Sequence, residues 1–526
     1  MKILKLVATV GTLALASMAA AQSPKPVRTQ SGLVQGVNGN GLTVYKGIPF
    51  GAPPVGDLRW RAPQPPAPWK GVRAADKFGA ACMQNPAGGR ALGLEQLEVS
   101  EDCLYLNVWT PAKSPKDRLP VMVWIYGGAF SLGSTSYKQF DGGHIAKRGV
   151  VVVSVAYRVG KFGFMAHPEL SAEQGGHSGN YGLMDQIAGL RWVKKNIAAF
   201  GGDPRHVTIF GESAGGISIS MLAASPLTKG LYQGAISESG GAFTPPRYAS
   251  EGGESTPPLS VAEQNGKDLL SKIGAASIAD ARKIPADELL KKLSQSPGGS
   301  WPVFDGYVLP GDQYNLYEAG KYNDTPILVG TNADEGAAFV RTANAVAFTA
   351  NVRAGYAEFA DRILAVYPAG TEAEALRSSQ DLVRDTLFAW NTWTWARLQA
   401  QTGKSKVFAY YFSHQPPYPD TPLFKGWGAA HAGELGYVFG QFGAAMKPTA
   451  DDFALSDQIE SYWTNFAKTG DPNGAGLPAW PAFTDANQQV MDLDDPSHAI
   501  PVPNMDKYKV LDAYYAWRRI EAEAKQ

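Results

Sequence analysis

Ser213 lies in a short segment, residues 211–215, whose pattern G-x-S-x-G could supply the nucleophile of an acyl transfer. A serine hydroxyl is a weak nucleophile at its free pKa, so it needs a base and a carboxylate that orients this base. The apolar residues 207–210 precede the segment, and residues 214–224 have the composition of a helix. With 58 glycines in the chain the bare pattern is weak. Its strand-turn-helix context is what favours a nucleophile over an ordinary glycine turn.

The base must be one of the seven histidines of the chain. Where a strand-turn-helix carries the serine, the chain order is nucleophile, acid, histidine, and only His414, His431 and His498 lie far enough downstream. His498 belongs to a polar tail region, whereas His414 ends an apolar run and His431 lies among small residues. Small neighbours leave an imidazole room to face a cleft. The residues alone leave both His414 and His431 open.

The acid is expected after a strand between the serine and the histidine. Residues 326–329 form an apolar run, and Asp334 and Glu335 follow it closely. Chain order and spacing do not choose between these two carboxylates, and a solvated loop carboxylate is the ordinary role of such a residue.

Backbone N–H groups that bind the carbonyl oxygen as it becomes negative are expected beside the serine. Residues 127–130, Gly-Gly-Ala-Phe, follow an apolar run and are small enough for the backbone to approach a substrate. The N–H groups of Gly128, Ala129 and Ala214 are the candidates for this oxyanion hole. An ordinary glycine turn is the alternative for the first two.

The elements that would position these residues follow from the hydrophobic pattern. Apolar side chains recur at three- and four-residue spacing in residues 181–200, which predicts a helix. Short apolar runs indicate strands buried on both faces, as in a parallel sheet: they cover residues 120–126, 150–157, 207–210, 234–236, 326–329 and 407–412. Alternating strands and helices predict an α/β fold, in which sites gather beyond the carboxyl ends of the strands.

The amino-terminal residues 1–21 have the pattern of a secretory signal. Lys2 and Lys5 precede a short apolar run, and small residues lead to a cleavage site after Ala21. The run is too short to span a membrane, so we expect a secreted or periplasmic protein with no membrane span in its mature chain. In an oxidising compartment, the only two cysteines, Cys82 and Cys103, are expected to form a disulfide.

The bulk composition of the 526 residues is that of a globular protein with a sizeable core. Basic and acidic residues both number 48, so charge gives no case for a nucleic acid partner. No feature of the sequence predicts an oligomeric state.

Four stretches together resemble the type-B carboxylesterase family, which includes cholinesterases and bacterial nitrobenzyl-ester esterases. They are residues 45–51 (YKGIPFG), 101–108 (EDCLYLNV), 180–186 (NYGLMDQ) and 211–216 (GESAGG). The resemblance runs from Gly32 to about Pro481. It implies one α/β-hydrolase domain over residues 22–526, with a mostly parallel central sheet flanked by helices and with helical insertions over the active site.

The resemblance also assigns roles. It implies that Glu335 is the acid, that His431 is the base, and that Cys82 pairs with Cys103. It implies oxyanion donors at the three candidate N–H groups, although the family often has glycine where Ala129 stands. Ser239 and Glu212 resemble residues that support or tune the family's catalytic residues.

The expected activity is that of a serine carboxylesterase acting on a small-molecule ester through an acyl-enzyme, without metal or organic cofactor. Phe130, Trp301 and Phe304 either line the acyl pocket or belong to the core. No tryptophan lies between the two cysteines, where cholinesterases hold their cation-binding tryptophan, so choline esters are disfavoured.

Other activities are compatible with the same catalytic residues. A lipase, a thioesterase or an amidase would use the same triad, and so would a hydrolase of a specialised mycotoxin or phenolic ester. A non-catalytic adhesion protein of the family is the least favoured alternative, because all three triad positions are filled.

Overall fold

The computed structural model describes residues 24–86, 95–246, 256–295 and 300–524. The strands in these residues are β1 (Val27–Arg28), β2 (Leu33–Gln35), β3 (Val37–Gly39), β4 (Leu42–Pro49), β5 (Val72–Ala74), β6 (Ala81–Cys82), β7 (Val99–Ser100), β8 (Tyr105–Thr110), β9 (Leu119–Ile125), β10 (Val151–Val155), β11 (Gly202–Glu212), β12 (Gly234–Glu238), β13 (Ile327–Asn332), β14 (Val407–Phe412), β15 (Gln489–Leu493) and β16 (His498–Pro501).

The α-helices in the same residues are α1 (Gly143–Lys147), α2 (Gly160–Phe164), α3 (Pro168–Glu173), α4 (Tyr181–Asn196), α5 (Ala214–Ala224), α6 (Leu259–Lys272), α7 (Ile278–Lys283), α8 (Ala286–Ser294), α9 (Gln313–Glu318), α10 (Ala345–Gly355), α11 (Ala360–Val366), α12 (Glu372–Arg384), α13 (Trp390–Thr402), α14 (Leu435–Val438), α15 (Ala450–Thr469) and α16 (Met505–Ala524). A π-helical turn, Asp385–Ala389, joins α12 to α13.

Eleven of the described strands form one sheet in the order β16-β15-β14-β13-β12-β11-β9-β10-β8-β4-β3. The neighbouring strands from β10 through β9 and β11 to β15 pair in parallel. The edges are antiparallel, with β8, β4 and β3 on one side and β16 on the other. The predicted α/β fold with a mostly parallel central sheet is therefore confirmed.

Burial of apolar side chains explains why the central strands form. Every residue of β10, β12 and β13 is buried, as expected for strands that are covered on both faces. Helix α4 packs closely on the sheet at Gly189. A Cβ at this position would lie 2.4 Å from Cγ1 of Val155, so glycine permits the close approach. All six apolar runs are found as strands, and the helix predicted for residues 181–200 is α4 followed by a 3-10 turn.

The parallel strands bring the candidate residues to one edge of the sheet. Strands β9, β11, β12 and β13 run in the same direction, so their carboxyl ends lie side by side. Ser213 and Ser239 follow β11 and β12 directly, and Glu335 follows β13 after two residues. The fold thus collects them at the edge where α/β sheets bind ligands.

Cys82 and Cys103 form the predicted disulfide, with an S–S distance of 2.06 Å. The predicted secretory signal, residues 1–21, lies outside the described residues. In the parts of the chain that the structure describes, no helix is both long and apolar enough to cross a bilayer.

Candidate active site

Ser213 occupies a sharp turn between β11 and α5. Its φ of 55° is unusual for a residue with a side chain, and such strain is commonly kept at functional positions. The turn is fixed by a 2.9 Å hydrogen bond from the Ser213 N–H to the carbonyl oxygen of Glu238. A Cβ at Gly215 would lie 2.0 Å from the carbonyl oxygen of Ile125, so only glycine allows this close approach of α5 to β9.

His431 and Glu335 form a short contact. Nδ1 of the imidazole lies 2.5 Å from Oε2 of the carboxylate. Glu335 has no solvent exposure, and its other oxygen accepts hydrogen bonds from the Asn332 N–H, at 2.8 Å, and from the Ser239 hydroxyl. Both oxygens of the carboxylate are therefore held in place, and one of them fixes the orientation of the imidazole.

Asp334, the other carboxylate left open by the sequence, lies in a different set of contacts. Its Oδ1 pairs with Arg377 at 2.7 Å, and its Oδ2 accepts a hydrogen bond from the Ala429 N–H at 3.1 Å. The contacts of Asp334 therefore anchor the loop that carries Glu335.

The other downstream histidines lie away from this cluster. His414 lies between two carboxylates, with Nδ1 2.9 Å from Asp494 and Nε2 3.1 Å from Asp452. His498 is exposed, and its Nδ1 lies 3.1 Å from the carbonyl oxygen of Pro496. Of the three, only His431 contacts the carboxylate that follows β13.

The second nitrogen of His431 lies beside the residue that precedes Ser213 in the serine turn. Nε2 lies 3.2 Å from Oε1 of Glu212, the residue before Ser213, without the alignment of a hydrogen bond. Among the described contacts, the Ser213 hydroxyl makes no hydrogen bond to the imidazole. The structure thus brings acid and histidine together and holds the histidine beside the serine turn. Hydrogen bonds between catalytic groups are often long in the absence of substrate.

Buried carboxyl groups surround the imidazole and change its proton affinity. Burial lowers the pKa of His431, but the charges of Glu212 and Glu335 and the hydrogen bond to Glu335 outweigh burial and raise it to about 9. Burial raises the pKa of Glu212 to about 8, against the lowering effect of His431. Glu335 is the carboxylate that contacts Nδ1 directly, so we expect it to hold the imidazolium.

The loop after β9 lies directly against the serine turn. A Cβ at Gly127 would lie 2.6 Å from the carbonyl oxygen of Glu212. Gly128 and Ala129 have φ values of 110° and 52°, and their N–H groups, like that of Ala214, donate no hydrogen bond among the described residues. Three backbone donors thus remain available on the two segments, as an oxyanion hole requires.

The predicted pocket aromatics are only partly brought together. Phe130 is fully buried, and its ring centroid lies 5.0 Å from that of Trp301 and 5.2 Å from that of Phe164. Phe304 is half-buried, and its N–H donates to the carbonyl oxygen of Pro257. Among the described residues, Phe304 makes no ring contact with Phe130 or Trp301, and a role of the three aromatics in the acyl pocket stays a prediction.

Comparison with known proteins identifies the family of the chain. The family described as the carboxylesterase family matches residues 23–510. The chain belongs to the carboxylesterase family. As a member it is a carboxylic ester hydrolase with the α/β-hydrolase fold.

Its similarity to individual family members extends over most of the chain. A fumonisin B1 esterase of Sphingopyxis macrogoltabida is 37% identical, over 90% of this chain and 87% of the relative. A para-nitrobenzyl esterase of Bacillus subtilis (strain 168) is 38% identical, over 89% of this chain and 94% of the relative. A solved structure of a thermophilic PNB esterase is 35% identical and superposes with a TM-score of 0.80, covering 92% of this chain and 99% of that one.

Two aromatic rings beside the histidine of this carboxylesterase were not predicted from the sequence. The ring centroid of Phe388 lies 4.4 Å from that of His431, and the ring of Phe339 lies 5.1 Å away. Both come from the part of the chain that follows Glu335. No motif marks them, because a phenylalanine in a helical segment is ordinarily a core residue.

Proposed function

We propose that the chain is a serine carboxylesterase in which Ser213 is the nucleophile, His431 the base and Glu335 the acid. The observation that carries the proposal is the 2.5 Å contact between Nδ1 of His431 and the buried Glu335, next to the strained serine turn. A carboxylate at Nδ1 keeps the proton on that nitrogen, which leaves Nε2 free to accept one from the serine.

The reaction proceeds in two steps. In the first, Ser213 Oγ attacks the ester carbonyl carbon while Nε2 of His431 takes the hydroxyl proton, and the carbonyl π electrons move onto oxygen. The intermediate collapses, the bond to the alcohol oxygen breaks, and the imidazolium gives its proton to the leaving alcohol. In the second step, water attacks the acyl-enzyme, His431 takes its proton and returns it to Ser213, and the carboxylic acid leaves.

Backbone donors support both tetrahedral intermediates. The N–H groups of Gly128, Ala129 and Ala214 are the proposed oxyanion hole, and the absence of competing acceptors among the described residues supports this role. Loss of one such donor typically lowers the rate about 10²–10³-fold. The Ser239 hydroxyl donates to Oε1 of Glu335, the oxygen that does not contact His431, and Glu212 lies beside Nε2. We therefore propose that both residues support the triad without contacting the ester.

Paired histidine variants test the assignment of the base. We expect His431→Ala to lose at least about 10³-fold in kcat, as expected when a triad member is removed. His414→Ala is the matched control, because it removes a histidine that also contacts carboxylates but lies elsewhere. We expect it to lower the melting temperature and to keep kcat within about twofold. Equal losses in both variants would overturn the assignment, as would full activity in Ser213→Ala.

The proposed substrates are small-molecule carboxylic esters. The names of the two relatives, an esterase of para-nitrobenzyl esters and one of fumonisin B1, support testing both simple and complex esters. A panel that varies acyl length and alcohol bulk, with a thioester, an amide and an emulsified long-chain ester, distinguishes the carboxylesterase from the alternative hydrolases. We expect soluble short-chain esters to have the highest kcat/KM.

We also propose that the protein is exported, with residues 1–21 removed, and that residues 22–526 fold as one domain. The disulfide between Cys82 and Cys103 supports an oxidising compartment. Mass spectrometry of protein recovered from the periplasm or medium tests this, with Gln22 as the expected first residue. An intact Met1 on the recovered protein would contradict the proposal.

A further inference from the structure

The segment that carries Phe388 is a π-helical turn, Asp385–Ala389, inside an otherwise continuous helical region. A π turn acts like the insertion of one residue and changes which side chains face a given direction, and such turns are frequent at functional sites. The side chain of Asn391 donates to the carbonyl oxygens of Thr386, at 3.0 Å, and Leu387, at 3.3 Å. These bonds satisfy carbonyl groups of the turn, so the π geometry is specifically stabilised.

The π turn puts the face of a buried ring on the histidine. Phe388 is 4% exposed, and its ring is nearly parallel to the imidazole of His431, with 21° between the planes and 4.4 Å between centroids. The ring of Phe339 is tilted by 48° and is 51% exposed, so it restrains the imidazole less. Glu335 fixes the position of Nδ1 at the edge of the imidazole, whereas Phe388, which is stacked on the ring face, limits tilting of the ring plane.

A buried guanidinium ties the π turn to the loop of the acid. Arg384, whose side chain is 2% exposed, pairs through Nε with Oδ1 of Asp385 at 2.7 Å. Another nitrogen of the same group donates to the carbonyl oxygen of Ala333 at 3.1 Å, two residues before Glu335. The Tyr367 hydroxyl donates to Asp385 at 2.8 Å. One cation therefore holds both the element that carries Phe388 and the loop that carries the acid.

A second cation repeats the connection about two helical turns earlier. Arg377 lies 2.7 Å from Asp334, next to the acid, and 3.0 Å from Asp381 on the same helix. Asp381 also pairs with Arg384 at 3.0 Å and with Lys507, on the carboxyl-terminal helix, at 2.7 Å. This network fixes α12 and the π turn relative to the loop that follows β13.

We propose that Phe388 is a positioning residue that acts through His431: it holds the imidazole plane so that Nε2 stays beside the serine turn, where it lies 3.2 Å from Oε1 of Glu212. The inference rests on the proposed role of His431 as base. Displacement of the base affects the chemical step, so the loss is expected in kcat rather than in KM. A small displacement of a catalytic group can cost up to about 10²-fold in rate.

Phe388→Leu tests the proposal, since it keeps an apolar side chain of similar length and removes the planar ring. We expect kcat to fall about tenfold and KM to stay within about twofold. A ring face also favours the imidazolium, so its loss should move the acid limb of kcat down by about half a pH unit. The carboxyls that act on the imidazole, Glu212, Glu335 and Glu434, are unchanged by the substitution.

Phe359→Leu is the matched control. Phe359 is 8% exposed and packs on Tyr514 and Trp517, away from the site. We expect the control to lower the melting temperature comparably and to leave kcat and the pH profile unchanged. If Phe388→Leu does not fold, Phe388→Met is the second variant, because it fills the space with a flexible chain. We expect it to show the same fall in kcat and the same shift of the acid limb.

Two results would overturn the inference in a folded variant: a wild-type kcat and pH profile, or a loss confined to KM. Labelling of Ser213 by a fluorophosphonate in the wild-type protein separates this failure from failure of the proposed function. If the wild type is labelled and the Phe388 variants keep wild-type kinetics, only the positioning role is wrong. If the wild type is not labelled at Ser213, the proposed mechanism itself fails.

Discussion

The carboxylate of Glu335 lies 2.5 Å from Nδ1 of His431 and is completely buried, whereas the neighbouring carboxylate of Asp334 pairs with Arg377. Adjacent residues in one loop thus have different contacts, because the turn after β13 directs one side chain to the histidine and the other to α12. This difference can be tested directly.

Glu335→Gln should lower kcat about 10⁴-fold, because an amide can hold the wrong tautomer and does not stabilise the imidazolium. Asp334→Asn is the matched control, and we expect it to lower kcat less than about tenfold. Steady-state hydrolysis of a chromogenic short-chain ester measures both. Similar losses in the two variants would contradict the assignment of the acid.

The pH dependence should report the raised pKa of His431. The base acts in its neutral form, so activity is lost as the pH falls through this pKa, which lies above the ordinary value of about 6.5. We expect the midpoint of the acid limb of kcat/KM above pH 6.5. Measurement from pH 5 to 10 at constant ionic strength tests this, and a midpoint below 6.5 would show that burial, rather than the carboxylates, dominates.

Glu212→Gln should stabilise the fold increasingly as the pH rises. Burial raises the pKa of Glu212 to about 8, so between about pH 4.5 and 8 the unfolded chain releases a proton that the folded protein keeps. The wild type loses stability over this range, and glutamine does not titrate. We expect the variant's advantage in urea unfolding to be on the order of 1–3 kcal/mol larger at pH 8 than at pH 5. An advantage that shrinks with pH would contradict the burial argument.

The oxyanion loop should tolerate one small substitution and not another. Ala129→Gly keeps the N–H and suits the φ of 52°, so we expect kcat within about threefold of the wild type. Gly128→Ala introduces a Cβ 2.3 Å from the carbonyl oxygen of Leu132 at a φ of 110°, which must displace the loop. We expect kcat to fall at least about 10²-fold, as when an oxyanion donor is lost. Equal kinetics of the two variants would remove the loop from the mechanism.

The central sheet and the serine turn could be predicted because their causes are local. Strands such as β10 are continuous apolar runs, and the glycines at 211 and 215 mark a turn that excludes side chains. The antiparallel strands β4 and β8 were not predicted, since polar residues interrupt both, half-buried in β4 and fully buried in β8. Asn107 is one of these, and its side chain is satisfied by the Gly47 N–H and by Ser154, contacts that no sequence pattern reveals.

The choice of acid and of histidine needed either a family resemblance or three-dimensional contacts. His414 and His431 have equally suitable positions in the chain, and only their partners distinguish them. His414 contacts Asp452 and Asp494, whereas His431 contacts Glu335. Phe388 was missed because a π turn has no sequence signature and because its ring meets the histidine only after the chain has folded.

The central claim is that the hydroxyl of Ser213 becomes acylated. Incubation of the wild-type protein with a fluorophosphonate probe, followed by peptide mass spectrometry, tests it most directly. We predict one adduct per chain, located on Ser213, with loss of activity in proportion to labelling and no adduct in Ser213→Ala. A label on another residue, or full activity after complete labelling of Ser213, would contradict it.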